Sequence, residues 1–406
     1  MPRTTVLAGI RILDLSQATA GPFGSQLLGD LGAEVFKIEP PGVGDTTRVM
    51  TPQLKGQSYY ILALNRNKKS VALNLRTKTG KEAFFDLVKI SDVVWSNLRY
   101  GVLEKLGVDF ESLQKVNPRI ILCTITGYGN SGPYARYPSY DDNIQGLTGI
   151  FSLCGQEGGM PMRSAVAIAD LAGGLFGTIG LISALYHRER TGVGTKVELN
   201  LVDSCMSLLG THFQSYFLTG KLPKPAGSHH PIGGISGVYR TRNGHIVLGP
   251  CWPRIARVIN REHLIDDPRF STYEKRFQNK DLLNAALEEG LLQADSEDWL
   301  ELMHEEDIPA MPLNTLDKAI QDPQIQNNNP IIGMRHPLYG EMRAIDCPIK
   351  IAGAGESDHL PPPTLGEATE QVLKELLGYS EEKIGELKRE ESEAAGGLKK
   401  RVISGF

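Results

Sequence analysis

The feature that most constrains the fold is a repeated alternation of short apolar strands and helices over the first 126 residues. Strands are predicted at 11–16, 34–39, 70–75, 92–96 and 119–126, and helices at 25–31, 79–90 and 103–116. In such a series each helix carries the chain back, so the strands align in parallel and the helices cover the sheet. The sequence therefore predicts an α/β fold with a mostly parallel sheet and with ligands bound beyond the carboxyl ends of its strands.

Common nucleotide-binding and hydrolase motifs do not occur in the sequence. The first strand-to-helix turn reads AGPFGSQLLGDLG, which does not match G-x-G-x-x-G, and there is no G-x-x-x-x-G-K-[ST]. The sequence also contains no H-E-x-x-H, EF-hand or G-x-S-x-G pattern. These observations disfavour an NAD-dependent dehydrogenase, a P-loop NTPase, a zinc protease and a serine hydrolase.

Charge and cysteine content narrow the range of partners and compartments. The 406 residues carry a net charge of −4, which gives no general attraction to nucleic acid or to an anionic membrane. The five cysteines are widely spaced and form no CxxC pair, so we expect no disulfide framework, no metal site and a cytoplasmic location. Because Arg11 and Asp14 interrupt the apolar N-terminal stretch and no apolar run reaches about 18 residues, we predict neither a signal peptide nor a membrane span.

The segment 164–203 presents one carboxylate at the start of a long apolar helix. Asp170 precedes a run in which Gly173, Gly177 and Gly180 recur at helical spacing, and each interior glycine costs a helix about 1 kcal/mol relative to alanine. Such a stripe predicts that another backbone packs very closely against this helix. Asp170 itself has two interpretations: an N-cap for the helix, or an ionised carboxylate that points into a cleft as a nucleophile.

The middle of the chain differs in pattern from both ends. Residues 220–236 are rich in proline, glycine and histidine, which is typical of a linker or loop. A hairpin is predicted around Asn243-Gly244 and helical patterns follow it, so residues 237–329 are interpreted as a small α+β domain. From about residue 330 the pattern favours two antiparallel strands and then a charged helix over 365–401.

Several motifs, in order along almost the whole chain, resemble those of one family. They read AGPFGSQLLGDLGAEVFKIEPPG, NRNKKSVALNL, SDVVWSN, TGYGNSGPY, SYDDNIQG, ADLAGGLFGTIGLISALYHRERTGVGTKVELNLVD, IPAMPLNTLDKAIQDPQ and PTLGEATEQVLKEL. This set resembles the class III CoA-transferases, the family of the formyl-CoA and carnitine CoA-transferases. The resemblance implies a Rossmann-like large domain built from 1–219 and 330–406, a small domain at 237–329, and two subunits that interlock in a homodimer.

The same resemblance implies a chemistry for Asp170. Its carboxylate attacks the thioester of an acyl-CoA, for which succinyl-CoA is a reasonable donor, and forms a mixed anhydride and CoA thiolate. The thiolate then converts the anhydride into an aspartyl-CoA thioester, and a small organic acid takes the CoA by the reverse steps. The implied substrates are CoA thioesters and a carboxylic acid, with no permanently bound cofactor. Oxyanions must be stabilised and water excluded, and backbone N–H groups of a helix start or a glycine loop are the expected donors.

The motif register also implies which residues bind CoA. They map to Ala18, Thr19, Leu73, Asn74, Leu75, Arg76, Asn97, Leu98, Arg99, Lys105, Tyr140 and Asp141. Thr19 departs from the family pattern, in which glutamine is usual, and an arginine expected near Pro40 is missing, so Lys37, Arg48 or Lys69 are alternative phosphate ligands. His230, Gly233 and Gly234 are expected in a loop or lid over the substrate.

Two other functions are compatible with these residues. Racemases of 2-methylacyl-CoA resemble the same family and use a histidine with an aspartate as a pair of bases. Here Tyr140-Asp141-Asp142 occupies the region where the racemases resemble G-H-D, and no histidine precedes His187. A non-catalytic CoA-binding partner subunit is the second alternative, and the presence of Asp170 argues against it.

Overall fold

A computed structural model describes residues 5–231, 235–355 and 358–390 of the chain. The residues group into two compact units. One contains Met1–Thr148, Ala165–Gly210 and Pro330–Phe406, and the other contains Gly149–Ser164 and Thr211–Asn329. The second unit thus includes 149–164 and 211–219, which the sequence analysis assigned to the large domain.

The strands and helices are numbered along the chain. The strands are β1 (Arg11–Asp14), β2 (Glu34–Glu39), β3 (Gln53–Leu54), β4 (Gln57–Ser58), β5 (Lys68–Ala72), β6 (Val93–Ser96), β7 (Ile121–Thr126), β8 (Lys196–Asn200), β9 (Gly237–Arg240), β10 (His245–Leu248), β11 (Ala310–Pro312), β12 (Ile331–His336) and β13 (Gly340–Ile345). The helices are α1 (Ala20–Asp30), α2 (Tyr59–Leu64), α3 (Lys78–Lys89), α4 (Val102–Leu106), α5 (Phe110–Val116), α6 (Asp141–Thr148), α7 (Ile150–Leu153), α8 (Ile168–Thr191), α9 (Leu201–Leu208), α10 (Gly210–Thr219), α11 (Arg254–Val258), α12 (Tyr273–Gln278), α13 (Lys280–Leu291), α14 (Ser296–Glu305), α15 (Leu316–Ala319), α16 (Pro323–Asn328) and α17 (Thr369–Gln371).

The first unit is built on a six-stranded parallel sheet, which confirms the predicted α/β class. Its strand order is β5-β2-β1-β6-β7-β8, and every neighbouring pair is parallel. From β1 the chain progresses outward through β2 and β5, and then from β6 through β7 and β8 on the other side. The order therefore reverses between β1 and β6, and the carboxyl ends of two such strands border the crevice in which open α/β sheets bind ligands.

One face of this sheet is covered by α1 and α8, which approach each other at glycine residues. A Cβ atom added at Gly174 would lie 2.7 Å from the carbonyl oxygen of Ala20, and one added at Gly24 would lie 2.8 Å from the carbonyl oxygen of Gly174. The predicted close backbone contact is therefore present, but Gly174 makes it. Gly173, Gly177 and Gly180 instead face side chains of the strands and of α9.

The other face carries a continuous apolar core. Leu13, Phe36 and Val94 of the strands pack with Phe84 of α3 and with Leu373 near the C-terminus. The C-terminal segment was predicted as one helix from 365, whereas the structure has α17, a π-helical turn at Val372–Leu376, and a separate helix over 381–390. Residues 391–401 of the predicted helix lie outside the described residues.

Helix α1 begins earlier than predicted. Ala20–Gly24 was expected to form a turn because it contains glycine and proline, but it is the first part of the helix. Pro22 is tolerated there, because the first N–H groups of a helix have no partner within it. Strand β5 is likewise displaced toward its N-terminus: Lys68 is buried within it and bonds Asp14, so a lysine that reads as polar surface belongs to the core.

The second unit has its own sheet and core. The hairpin predicted around Asn243-Gly244 is present as β9 and β10, and β11 adds to β10 as a third antiparallel strand. Tyr239, Phe270 and Trp299 are among the buried side chains of its core. In the first unit, β12 and β13 form the antiparallel pair predicted after residue 330.

Helix α8 is long and apolar enough to cross a membrane when judged by length and composition alone, and half of its most apolar stretch is buried inside the protein. Its contacts with α1 and with Trp95 of β6 make it part of the packed first unit. The five cysteines are free thiols. Within 5–231, 235–355 and 358–390, no group of three or more His, Cys, Asp or Glu side chains is arranged to hold a metal ion.

Candidate active site

Asp170 lies in the first turn of α8 but is not its N-cap. The N-cap is Ala167, whose side chain makes no capping hydrogen bond, and Asp170 is the third helical residue. Its half-buried carboxylate borders a cavity of about 260 Å³. The side chain therefore faces the cavity instead of the end of its own helix.

Asp141, at the start of α6, supplies the missing cap. Its Oδ1 accepts hydrogen bonds from the N–H groups of Ala169 at 2.9 Å and Asp170 at 3.2 Å. The N–H of Ile168 donates to Val166 and that of Leu171 to Ala167. The N–H groups of this first turn are therefore all occupied, so the helix start is not the oxyanion donor that the sequence analysis considered.

Thr19 lines the same cavity as Asp170. It is the N-cap residue of α1, and its side chain hydrogen-bonds the Asp170 carboxylate, which favours the ionised form. The preceding residue, Ala18, has φ +62°, a left-handed conformation that costs a non-glycine residue about 1–2 kcal/mol. Such strain persists only where the surrounding structure holds the backbone in place.

A buried ion pair holds this strained turn. Lys37 Nζ donates to the carbonyl oxygen of Ser16 at 2.8 Å and to Asp45 Oδ2 at 3.0 Å. The other oxygen of Asp45 accepts from the N–H of Ala18 at 3.2 Å. Since both partner side chains are inaccessible to solvent, removal of either would leave a buried charge uncompensated.

The environment of Asp170 opposes its ionisation. Burial raises the pKa of its carboxyl group to about 7, and the negative charge of Asp141 adds to this rise. The hydrogen bond from Thr19 opposes it, and Asp142 makes a smaller contribution in the same direction as Asp141. The neutral acid is therefore more favoured at Asp170 than at an exposed aspartate.

Asp170 and six other predicted site residues line the Asp170 cavity. The others are Ala18, Thr19, Asn97, Leu98, Arg99 and Tyr140. They come from the segments after β1 and β6 and from the loop before α6, so the cavity lies where the strand order reverses, beyond the carboxyl ends of these strands as predicted. No histidine is among its lining residues in the described parts of the chain, and Tyr140, which is 74% exposed, stands next to Asp141.

The segment 73–76, which was predicted to bind CoA, lines a second cavity of about 190 Å³. Leu73, Asn74, Leu75 and Arg76 line it together with apolar residues that follow β1 or belong to β2 and α4, namely Leu15, Ile38, Val102 and Leu106. Gln17 and Leu98 line both cavities. The two spaces are thus adjacent along the carboxyl edge of the sheet; the second cavity is mostly apolar, and the Asp170 cavity is polar and apolar in similar measure.

Some predicted residues are elsewhere. Lys105 is exposed on α4 and lines neither cavity. His230 belongs to the second unit, while Gly233 and Gly234 lie outside the described residues. The alternative phosphate ligands are engaged: Lys37 pairs with Asp45, Arg48 with Glu39, and Lys69 with Glu34.

Sequence reasoning missed several residues of the site. Thr46, Tyr100, Tyr137 and Leu201 also line the Asp170 cavity. Tyr100 lies three residues after the motif SDVVWSN, and Tyr137 lies between the motifs TGYGNSGPY and SYDDNIQG, so their position was a usable signal. Cys205 is fully buried near Asp141 and Asp170, and burial raises the pKa of its thiol to about 11.

Comparisons with known proteins identify the family to which the chain belongs. Residues 7–369 match the sequence model of a family described as CoA-transferase family III. The chain is 34% identical to the human succinyl-CoA:glutarate CoA-transferase, over 94% of this chain and 88% of that protein. It is 35% identical to the acetyl-CoA:oxalate CoA-transferase of Acetobacter aceti, over 91% and 95%. The crystal structure of a CaiB/BaiF family protein from Brucella suis superimposes with a TM-score of 0.83 at 33% identity, covering 92% of this chain and all of that one.

Proposed function

Because the chain belongs to CoA-transferase family III and is a CoA-transferase that acts on an acyl-CoA and a carboxylic acid, we propose that Asp170 carries the transferred group covalently. The observation that supports this most directly is that the Asp170 carboxylate faces the cavity while Asp141 provides the cap of its helix. A carboxylate needed only for capping would be turned toward those N–H groups.

The proposed reaction proceeds through three covalent intermediates on Asp170: an anhydride with the donor acid, a thioester with CoA and an anhydride with the acceptor acid. An oxygen of its carboxylate attacks the thioester carbonyl, the C–S bond breaks, and a mixed anhydride and CoA thiolate result. The thiolate attacks the aspartyl carbonyl of the anhydride and releases the donor acid as a carboxylate. The acceptor carboxylate then attacks the aspartyl-CoA thioester, its C–S bond breaks, and a second mixed anhydride and CoA thiolate result. The thiolate attacks the acceptor carbonyl of this anhydride, which forms the new acyl-CoA and releases the Asp170 carboxylate. One thioester replaces another, so the overall free-energy change is small.

The raised pKa of Asp170 fits this use. A carboxylate with a pKa of about 7 is a stronger nucleophile than an ordinary one, and close to half of it is ionised at neutral pH. Burial and the Asp141 charge disfavour the anion, whereas the anhydride and the thioester carry no charge on this side chain. The same environment that favours protonation therefore also favours acylation.

We assign CoA binding to the carboxyl edge of the sheet. Arg76 and Arg99 border the two adjacent cavities, both are exposed, and arginine is well suited to phosphate groups. The apolar lining around Leu73 and Leu75 suits the flat face of adenine. Asn97, Leu98 and Tyr140 would lie along the chain that leads to the thioester beside Asp170.

The substrates we propose are succinyl-CoA as donor and a short dicarboxylic acid as acceptor. Their support is that relatives covering most of the chain are named for the transfer of CoA to glutarate and to oxalate. A carboxylate at the far end of such an acid requires a cationic or N–H partner. The predicted loop with His230, Gly233 and Gly234 remains the proposal for that role.

We further propose that the protein acts as a homodimer in the cytoplasm. Leu175, Ile179, Ile182 and Tyr186 are each at least 40% exposed and recur at helical spacing along one side of α8. A contiguous exposed apolar face of this kind is typical of an interface with another protein. The interlocking of two subunits, implied by the family, would cover it, and five free thiols suit a reducing compartment.

The test is to trap the covalent state. Purified protein is mixed with succinyl-CoA without an acceptor, quenched in acid and examined by intact-mass and peptide-mass spectrometry. We expect an adduct on the peptide that contains Asp170, removable by hydroxylamine, and none in Asp170→Asn. Turnover by wild-type protein with this residue never modified, or an adduct that persists in Asp170→Asn, would contradict the proposal.

A further inference from the structure

Asp141 is a buried carboxylate that touches the nucleophile through its backbone. It is 7% exposed, and its Oδ1 bridges the N–H groups of Ala169 and Asp170. Its Oδ2 accepts from the side-chain amide of Gln145, which is fully buried one turn later in α6. The carboxylate is thus bonded at both oxygens and joins α6 to the start of α8.

These bonds determine where the Asp170 side chain points. Helix α8 has no N-cap bond from its own Ala167, so without Asp141 the N–H groups of Ala169 and Asp170 would require another acceptor. Asp170 itself is able to serve, since a carboxylate in the first turn can turn back toward the free N–H groups. Because Asp141 occupies them, the Asp170 carboxylate is directed into the cavity.

Asp141 also places a second negative charge close to the Asp170 carboxylate. An asparagine or serine can cap a helix about as well as an aspartate, so the capping role alone does not require a carboxylate. Among the groups that face Asp170 are Asp141 and Asp142 from α6, the Cys205 thiol from α9, the Thr19 hydroxyl before α1, and Arg99 and Tyr140 across the cavity. Of the two acids of α6, Asp141 makes the larger contribution, and Asp142 is exposed.

We propose that Asp141 is a positioning residue for the transfer reaction. Its buried carboxylate caps α8 in place of Asp170, which holds the Asp170 carboxylate toward the cavity. Its negative charge also makes the resting Asp170 anion less stable relative to the neutral acylated forms. This inference rests on the proposed function, because it presupposes that Asp170 is acylated. In this proposal Asp141 acts on the reaction by positioning Asp170, whereas the motif register implied that Asp141 contacts CoA directly.

The matched variants are Asp141→Asn and Asp142→Asn, each of which removes one negative charge and keeps the side-chain shape. In Asp141→Asn the new amide keeps an oxygen for the N–H groups of α8. Gln145, whose Oε1 has no partner in the described structure, can rotate its own amide to accept from the new NH₂ group. Asp141→Ser is a second neutral variant, since serine also caps helices well.

The measurement is kcat/KM for CoA transfer as a function of pH, with the succinyl adduct on Asp170 measured in parallel. In Asp141→Asn we expect the midpoint of the acid limb to move down by about one pH unit, because a like charge beside Asp170 is lost. The rate on the alkaline plateau should fall about tenfold, because the nucleophile is less basic. Asp142→Asn should remain close to wild type in both respects, and Asp141→Ser should resemble Asp141→Asn.

Each outcome supports or overturns the inference. A lower plateau with an unchanged midpoint in both neutral variants at position 141 would mean that Asp141 only supports the fold, and would overturn it. Equal shifts in Asp141→Asn and Asp142→Asn would overturn it as well, because contact with α8 would then not matter. If wild-type protein turns over without any adduct on Asp170, the proposed function itself fails, which the adduct measurement distinguishes from a failure of Asp141 alone.

Discussion

The carbonyl oxygen of Ala20 lies so close to Gly174 that a Cβ atom added at Gly174 would come within 2.7 Å of it. Ala20 follows Thr19 at the start of α1, and Gly174 lies one turn after Asp170 in α8. The approach of these two backbones therefore sets how closely the Thr19 hydroxyl meets the Asp170 carboxylate. The packing of α1 against α8 therefore also constrains the geometry around the proposed nucleophile.

Gly174→Ala tests this constraint. The new methyl group meets backbone atoms that cannot rotate away, so we expect a loss of about 1–3 kcal/mol in the free energy of unfolding and slower transfer as Thr19 is displaced. Urea denaturation and steady-state kinetics provide the measurements. Gly146→Ala in α6 is the control, because nothing lies within 4 Å of its added Cβ and alanine favours the helix by up to about 1 kcal/mol. Equal stability of the two variants would contradict the constraint.

Asp170→Asn should remove transfer, with a loss of about 10³-fold or more, and should also change how stability depends on pH. The pKa of Asp170 is about 7 in the folded protein against an ordinary 3.8. Between these values the folded protein retains a proton that the unfolded chain releases, so this group makes wild-type stability fall as pH rises from about 4 to about 7. The amide does not titrate, and Tm of the variant minus Tm of wild type should grow from pH 5 to pH 8. A difference that stays constant over this range would argue against a raised pKa.

Replacement of the arginines at the cavities should weaken CoA binding selectively. Arg76→Ala and Arg99→Ala each remove a cation that can pair with phosphate, so we expect KM for the acyl-CoA to rise about tenfold and KM for the acid to stay unchanged. Lys78→Ala is a suitable control, since Lys78 is 84% exposed, lies two residues from Arg76 and is outside both cavities. An equal effect of all three variants would point to general charge attraction rather than to contact.

A charge on the exposed face of α8 should weaken the proposed dimer. Ile179 is 59% exposed in the single chain, and Ile179→Lys would bury an unpaired ammonium group if that face lies in an interface. Light scattering coupled to size-exclusion chromatography should report a lower mass for this variant. Ile90→Lys makes the same change at a residue that is 40% exposed after α3 and should leave the mass unchanged. A variant at 179 that elutes with wild type would contradict an interface there.

The parallel sheet was predictable because it follows from a local pattern, alternating apolar strands and helices that repeat along the chain. The predictions failed where a residue's environment is supplied from far away in sequence. Lys68 looks polar and solvent-exposed, yet Asp14 pairs with it inside β5 at 3.2 Å. Pro22 and its glycine neighbours look like a turn, yet contact with Gly174 holds them at the start of a helix.

By itself the sequence determined the order of the elements, the family, and the presence of one acid at the head of a glycine-rich helix. Only the tertiary structure decided that Asp141 and not Asp170 caps that helix, since the two bonds join residues 28 and 29 positions apart. It also decided which basic side chains are free to bind phosphate. Lys37 and Arg48 form ion pairs with buried carboxylates, whereas Arg76 and Arg99 border the cavities. The charge state, burial and hydrogen-bond partners of a side chain depend on the residues around it in the folded protein, and its residue type determines them only in part.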